Sequence, residues 1–334
     1  VFGIEGVRLS VRLAQVEVIG DGGLDLGLAP GVPGTVRAAF APVGDAREAE
    51  AYTRGLTASH YENFSVVSVL LPKRLRQDFC NVYAFCRIAD DLGDEVGDRG
   101  KATEYLGAFR EQLVRCYAGE AKTAVFVALA ETIRRHEIPM KPFDDLIRAF
   151  EQDQVVTRYE TFMQAVDYCT RSADPVGRLV LYMCGYRDAE RQRLSDKICT
   201  GLQLINFWQD VRRDVLERDR VYLPREDMAK FGVTVEQLRE GRVTEGYRAL
   251  VKMEVERTEA MFDEGAALLP LLKPMYRKQI ALFLKGGRAI CAAVRRQGFD
   301  TLTKRPRLSK WQKGRLVAGT LLGYLVGKLT GGAA

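Results

Sequence analysis

The segment GLQLINFWQDVRRDVLERDR, Gly201 to Arg220, reads as one helix and carries Asp210 and Asp214 four residues apart. That spacing puts both carboxylates on one helix face, about one turn apart. Like charges so placed weaken a bare helix slightly, so a cation or a basic partner is expected beside them. Gln203 and Asn206 continue the polar line toward the helix N-terminus, while Leu202, Leu204, Ile205, Phe207, Trp208 and Val211 cover the other faces. Amides in such apolar surroundings suggest the wall of a cavity. A second acidic pair with the same spacing, Asp90 and Asp94, lies far upstream.

The composition bounds the class. A chain of 334 residues allows one large domain or two ordinary ones, and an apolar share of 47% is that of a globular protein. The seven cysteines include no C-x-x-C and sit largely in apolar helical patterns, so buried free thiols in a reducing compartment are expected. Only His60 and His136 are present, which leaves little material for a histidine zinc site or an acid–base triad. The net charge of +6 fits an anionic substrate, an anionic membrane surface or plain solubility. No concentrated basic stripe with interleaved aromatics marks a nucleic-acid partner. Val1 to Pro42 lacks the basic head, apolar core and small-residue cleavage site of a secretory leader, and no stretch has the roughly eighteen apolar residues of a membrane span.

Along the chain, residues 1–44 read as an irregular Gly- and Pro-rich arm. From 45 to about 300 the pattern is helical, with short connections and no alternating strand runs, which predicts an all-α bundle. Helices are expected over 47–60, 75–91, 102–117, 123–136, 142–156, 161–184, 194–217, 234–240, 244–267 and 275–296. Pro175 should kink the sixth of these, and Thr234 should cap the eighth. Residues 301–334 form a basic and then apolar tail, expected either to pack on the body as a last helix or to touch a membrane peripherally.

Two acidic pairs without histidine suit hard divalent cations. Mg²⁺ takes oxygen ligands and completes its octahedron with water and phosphate oxygens. Such ions neutralise a diphosphate and make it a good leaving group, and arginines such as Arg87, Arg212 and Arg213 add contacts to the same group. Phe64, Tyr83, Phe207 and Trp208 are candidates to face a carbocation through their ring quadrupoles. Either pair alone reads as readily as a solvated face paired with arginines. Two pairs, each within an unusually apolar helix, favour the metal reading.

CRIADDLGDE at 86–95 and QLINFWQDVRRD at 203–214, followed by RVYLP at 220–224, resemble the paired aspartate motifs of the squalene and phytoene synthase family, which joins isoprenyl diphosphates head to head. The resemblance runs from about Ala51 to Gly298. It implies an all-α isoprenoid synthase fold around a central cavity and Mg²⁺-dependent ionisation of a diphosphate. It makes Asp90, Asp94, Asp210 and Asp214 the metal ligands. It gives Gln203, Asn206, Arg87, Arg213 and Arg220 diphosphate-side positions, and His60 and Phe64 match an entry segment that reads HYENF here.

Within the family, YENF at 61–64, FWQDV at 207–211 and YCTRSADPVG at 168–177 resemble the bacterial hydroxysqualene synthases of the hopanoid route. Arg171 and Asp174 replace groups that would face the reacting chains. The reaction this implies is ionisation of presqualene diphosphate and capture of the rearranged cation by water, with Arg171 or Asp174 positioning that water and no NADPH needed. The alternatives are NADPH-dependent squalene synthase, presqualene diphosphate synthase, phytoene synthase, and a non-catalytic helical assembly protein. The expected location is cytoplasmic, with the tail able to bring the chain to the inner membrane surface.

Overall fold

Apolar residues at helical spacing become helices almost wherever that spacing occurs. The computed structural model describes residues 34, 37, 40–59, 72–309, 311, 312 and 314. Among them there is no sheet, only two isolated bridges, Pro42 with Thr123 and Arg158 with Val221. His60, Phe64 and the apolar tail from Leu316 to Val326 lie outside the described residues. The chain divides into two compact units.

The first unit reaches to Val156 and includes residues 178–187. It holds α1 (Ala46–Ser59), α2 (Arg76–Asp94), α3 (Arg99–Tyr117), α4 (Ala124–His136) and α5 (Lys141–Asp153). Its centre is aromatic. Phe85 of α2 has its ring centroid 5.1 Å from Phe109 of α3, 6.0 Å from Phe126 of α4 and 4.9 Å from Phe143 of α5. All four rings are completely buried, and each contributes about 1.5–3 kcal/mol by leaving water. Two turns earlier on α2, buried Asp78 accepts from Arg135 Nη1 at 2.9 Å and Thr132 Oγ1 at 3.1 Å, and meets His136 Nε2 at 2.9 Å. His136 therefore ties α4 to α2, a structural use of one of the two histidines.

The second unit comprises residues 157–177 and 188 onward. It holds α6 (Phe162–Ser172), α8 (Ala189–Glu217), α9 (Arg225–Lys230), α10 (Val235–Glu240), α11 (Glu245–Gly265) and α12 (Pro274–Arg296). Helix α7 (Asp174–Met183) begins in this unit and ends in the first. The expected kink at Pro175 is instead a complete break: Ala173 leaves helical geometry at φ −124°, ψ −49°. Pro175 then occupies the first turn of α7, where no amide donor is missed and the fixed φ suits a helix start. Thr234 does cap α10, in a full capping box with Gln237. The helix α9 was not expected; its six residues are too few to show a period.

Helix α8 is the axis of this unit and packs against α6, α10, α11 and α12. Asp188 caps it by accepting from Arg191 N at 3.0 Å. Trp208 is fully buried, and its Nε1–H donates to Thr258 Oγ1 of α11 at 3.0 Å. The indole expected to face a cation is thus a satisfied core residue. At Gly201 the missing side chain lets the ring of Phe262 approach. A Cβ there would stand 2.7 Å from its Cε1 atom, closer than any contact allows.

Candidate active site

In the second unit the helical spacing of α8 places Gln203, Asn206, Asp210 and Arg213 along one half-buried stripe of an otherwise enclosed helix. Asp214 lies at its buried edge, 7% exposed. Burial pushes the Asp214 carboxyl up to about 7 and the neighbouring Asp210 charge adds to this, while Arg218, Arg213 and Arg220 pull the other way. Arg218 Nη1 stands 3.9 Å from Asp214 Oδ1. Arg213 Nε donates to Glu217 Oε2 at 3.0 Å. Arg220 is buried, and its backbone N–H donates to the Asp214 carbonyl at 3.0 Å, which folds the RVYLP segment back against the end of α8. Asp219 turns that corner with φ +50°, a left-handed conformation an aspartate tolerates better than most residues. Arg158 Nη2 and Arg239 Nη2 hold its carboxylate at 2.7 and 2.8 Å.

Phe207, on the next face of α8, belongs to an aromatic cluster. Its ring is stacked on Tyr222, and Tyr168 of α6 lies 6.1 Å from Phe207 and 5.9 Å from Tyr222. Tyr159 stacks on Tyr222 at 5.7 Å. Tyr159, Tyr168 and Tyr222 were missed as site residues, although Tyr168 and Tyr222 lie inside YCTRSADPVG and RVYLP. Arg171 forms a pair with Asp167 one turn back on α6, at 2.5 Å. Asp174, 4% exposed, accepts from Thr200 Oγ1 at 2.8 Å. The Ser172 hydroxyl is buried and has no hydrogen-bond partner among the described residues.

Asp210 has a partner that nothing local in the sequence marks. Arg305, beyond the end of α12, grips both carboxylate oxygens: Nε on Oδ1 and Nη2 on Oδ2 at 2.8 Å.

In the first unit the helix α2 repeats the pattern. Arg87, Asp90 and Asp94 lie on a half-buried stripe. Arg87 Nη1 is 3.5 Å from Asp90 Oδ2, and Nη2 contacts Asp91 Oδ1 directly. Asp91, outside the expected pair, is the buried acid of the three, and burial raises its carboxyl to about 6 against the pull of Arg87. Tyr83 is buried one turn before Arg87, and its phenol is pushed up to about 12, first by burial.

Each helix by itself offers donors that suit a hard divalent cation bringing part of its own shell. Each helix offers two carboxylates one turn apart, and α8 adds the Gln203 Oε1 atom, buried and without a hydrogen bond among the described residues. Among the described residues no three Asp, Glu, His or Cys side chains form a metal cluster. A Mg²⁺ ion here would take its remaining ligands from water and phosphate, as this ion commonly does.

These helices and their connections make an all-α isoprenoid-synthase fold. Residues 57–312 match the squalene/phytoene synthase family, and the chain belongs to it. It is 36% identical to the phytoene synthase of Thermus thermophilus, over 79% of this chain and 89% of that one. It is 31% identical to the hydroxysqualene synthase of Sinorhizobium fredii, over 75% of this chain and 85% of that one. Among solved structures, squalene synthase HpnC from Alicyclobacillus acidocaldarius is 49% identical, with a TM-score of 0.72 over 76% of this chain and 96% of that one. A dehydrosqualene synthase in complex with ligand is 26% identical, with a TM-score of 0.75 over 84% of this chain and 98% of that one. Among the described residues no helix is long and apolar enough to cross a membrane.

Proposed function

We propose that this chain is a Mg²⁺-dependent head-to-head prenyl synthase that forms squalene through presqualene diphosphate. The observation that carries this reading is the Asp210–Asp214 pair on the half-buried stripe of α8, in a chain of the squalene/phytoene synthase family. The comparisons support the joining alternatives better than the water-capturing reading drawn from residues 171–175. Relatives named squalene synthase and phytoene synthase stand at 49% and 36% identity, and one named hydroxysqualene synthase at 31%.

In the second unit Asp210 and Asp214 on α8 would hold metal, and in the first unit Asp90 and Asp94 on α2 would do so. When bound, the metal neutralises the diphosphate and makes it a better leaving group. Asp214, raised to about 7 by burial, is part-protonated at neutral pH and gives up its proton to take a cation. Arg213 and Arg220 carry positive charge beside that pair for the leaving diphosphate. The rings of Phe207, Tyr222 and Tyr168 offer negative π-faces to a cation formed near α8, and their bulk keeps water away from it.

A second reading, hydroxysqualene formation, is favoured by the buried Asp174–Thr200 pair and the buried Ser172 hydroxyl, groups able to hold a water molecule. The test is incubation of the purified chain with Mg²⁺ and farnesyl, presqualene or geranylgeranyl diphosphate in turn, with and without NADPH. Squalene that appears only with NADPH supports the first reading. Hydroxysqualene without NADPH supports the second. Phytoene from geranylgeranyl diphosphate, with no product from the farnesyl series, overturns both.

A further inference from the structure

We propose that Arg305 is the resident counter-ion of Asp210, and that a divalent cation must displace it to load the α8 pair. The inference rests on the reading that Asp210 is a metal ligand. Both side chains are shielded, at 16% and 15% exposure, and the guanidinium covers both carboxylate oxygens. Two-point, charge-assisted pairing of this kind is among the stronger side-chain contacts. A cation needs at least one of those oxygens and is repelled by a positive charge that stays on them, so the two ligands compete for one carboxylate. At Asp214, by contrast, Arg218 approaches only to 3.9 Å.

The backbone around Arg305 is anchored without its side chain. Thr301 Oγ1 and Tyr247 Oη are 2.6 Å apart, and Leu302 is buried. Gln297 Nε2 donates to the Lys304 carbonyl at 2.9 Å and Gln209 Nε2 to the Pro306 carbonyl at 2.5 Å. The carbonyls on either side of Arg305 are therefore held, and the guanidinium can leave Asp210 while the strap stays in place. Arg305 keeps Asp210 neutralised until a cation arrives and so sets the affinity of the pair.

Mn²⁺ affinity, read by electron paramagnetic resonance on the full chain, tests the competition. Arg305→Gln should bind about tenfold more tightly than the wild type, and Arg305→Lys, which keeps the charge but not the two-point grip, should fall between them. In the wild type, Mg²⁺ should speed phenylglyoxal modification of Arg305, mapped by peptide mass spectrometry, at least about fivefold. That measurement needs no variant to fold. Equal or weaker Mn²⁺ binding by Arg305→Gln, or modification of Arg305 that ignores a bound metal, overturns the proposal. If Asp210→Asn binds Mn²⁺ as tightly as the wild type, the metal role of Asp210 fails, and this inference falls with it.

Discussion

The ring of Phe207 lies face to face with that of Tyr222, centroids 3.7 Å apart and planes 3° from parallel. One ring comes from α8 and the other from the RVYLP segment that folds back on it. The stack places two π-faces beside the acidic stripe. Phe207→Leu keeps an apolar side chain of similar reach but removes the ring. Turnover of the prenyl diphosphate should fall about 2- to 30-fold, the range spanned by one cation–π contact. The stability loss should stay near 1 kcal/mol. Steady-state kinetics beside a denaturation curve separate the two effects, and an unchanged kcat would remove Phe207 from the reacting cation.

Arg87 holds a carboxylate that water cannot reach, since the Asp91 side chain is only 3% exposed. Arg87→Met should cost about 3–5 kcal/mol at neutral pH by stranding that charge. The double variant Arg87→Met/Asp91→Leu should recover most of the loss. Because losing Arg87 raises the Asp91 carboxyl above its present value of about 6, the single variant's penalty should shrink as pH falls toward about 6, below which both folded proteins hold the proton. Urea titrations of the three proteins at two pH values measure this. A double variant no better than the single one would show that the pair is not the source of the cost.

Glu254 gives a pH dependence in the second unit. It is fully buried, and burial raises its carboxyl from 4.5 to about 8, partly offset by Arg257. Between those two values the folded chain holds a proton that the unfolded chain has released. This group's contribution therefore falls as pH rises from 4.5 to about 8 and levels off above. Glu254→Gln does not titrate, and Arg257 keeps Asp227 at 2.6 Å. The variant should gain on the wild type in melting temperature between pH 5 and pH 8.5. An offset that stays constant across that range would contradict the assignment.

Gly201→Ala should destabilise the chain even though alanine is the better helix former by about 1 kcal/mol. The added methyl meets the buried Phe262 ring at 2.7 Å, and overpacking of this sort costs about 1–3 kcal/mol. Adding Phe262→Leu should return part of the loss, a coupling that a double-mutant cycle reads directly.

The helices were legible because their signals are local. The apolar period of α2 and α8, the Thr234–Gln237 box and the stop before Pro224 all lie within a few residues of the structure they specify. The two acidic pairs were legible for the same reason: a four-residue spacing on a helix fixes a shared face. Ala173 shows where this stops. Pro175 announced an interruption, but whether the chain kinks or ends one helix and starts another depends on the tertiary surroundings of the break.

From the sequence alone come the all-α class, the stripes Arg87–Asp90–Asp94 and Gln203–Asn206–Asp210, and the family resemblance those stripes carry. Tertiary structure alone decided which acids are buried and what faces them. It made Asp91 rather than Asp90 the enclosed acid of α2, moved Trp208 into the core with Thr258, and brought Arg305 to Asp210 across 95 residues of chain. Helix periodicity is set by near neighbours, whereas burial and charge pairing are set by whichever distant segment packs alongside. That difference is why the carboxylates could be named in advance and their partners could not.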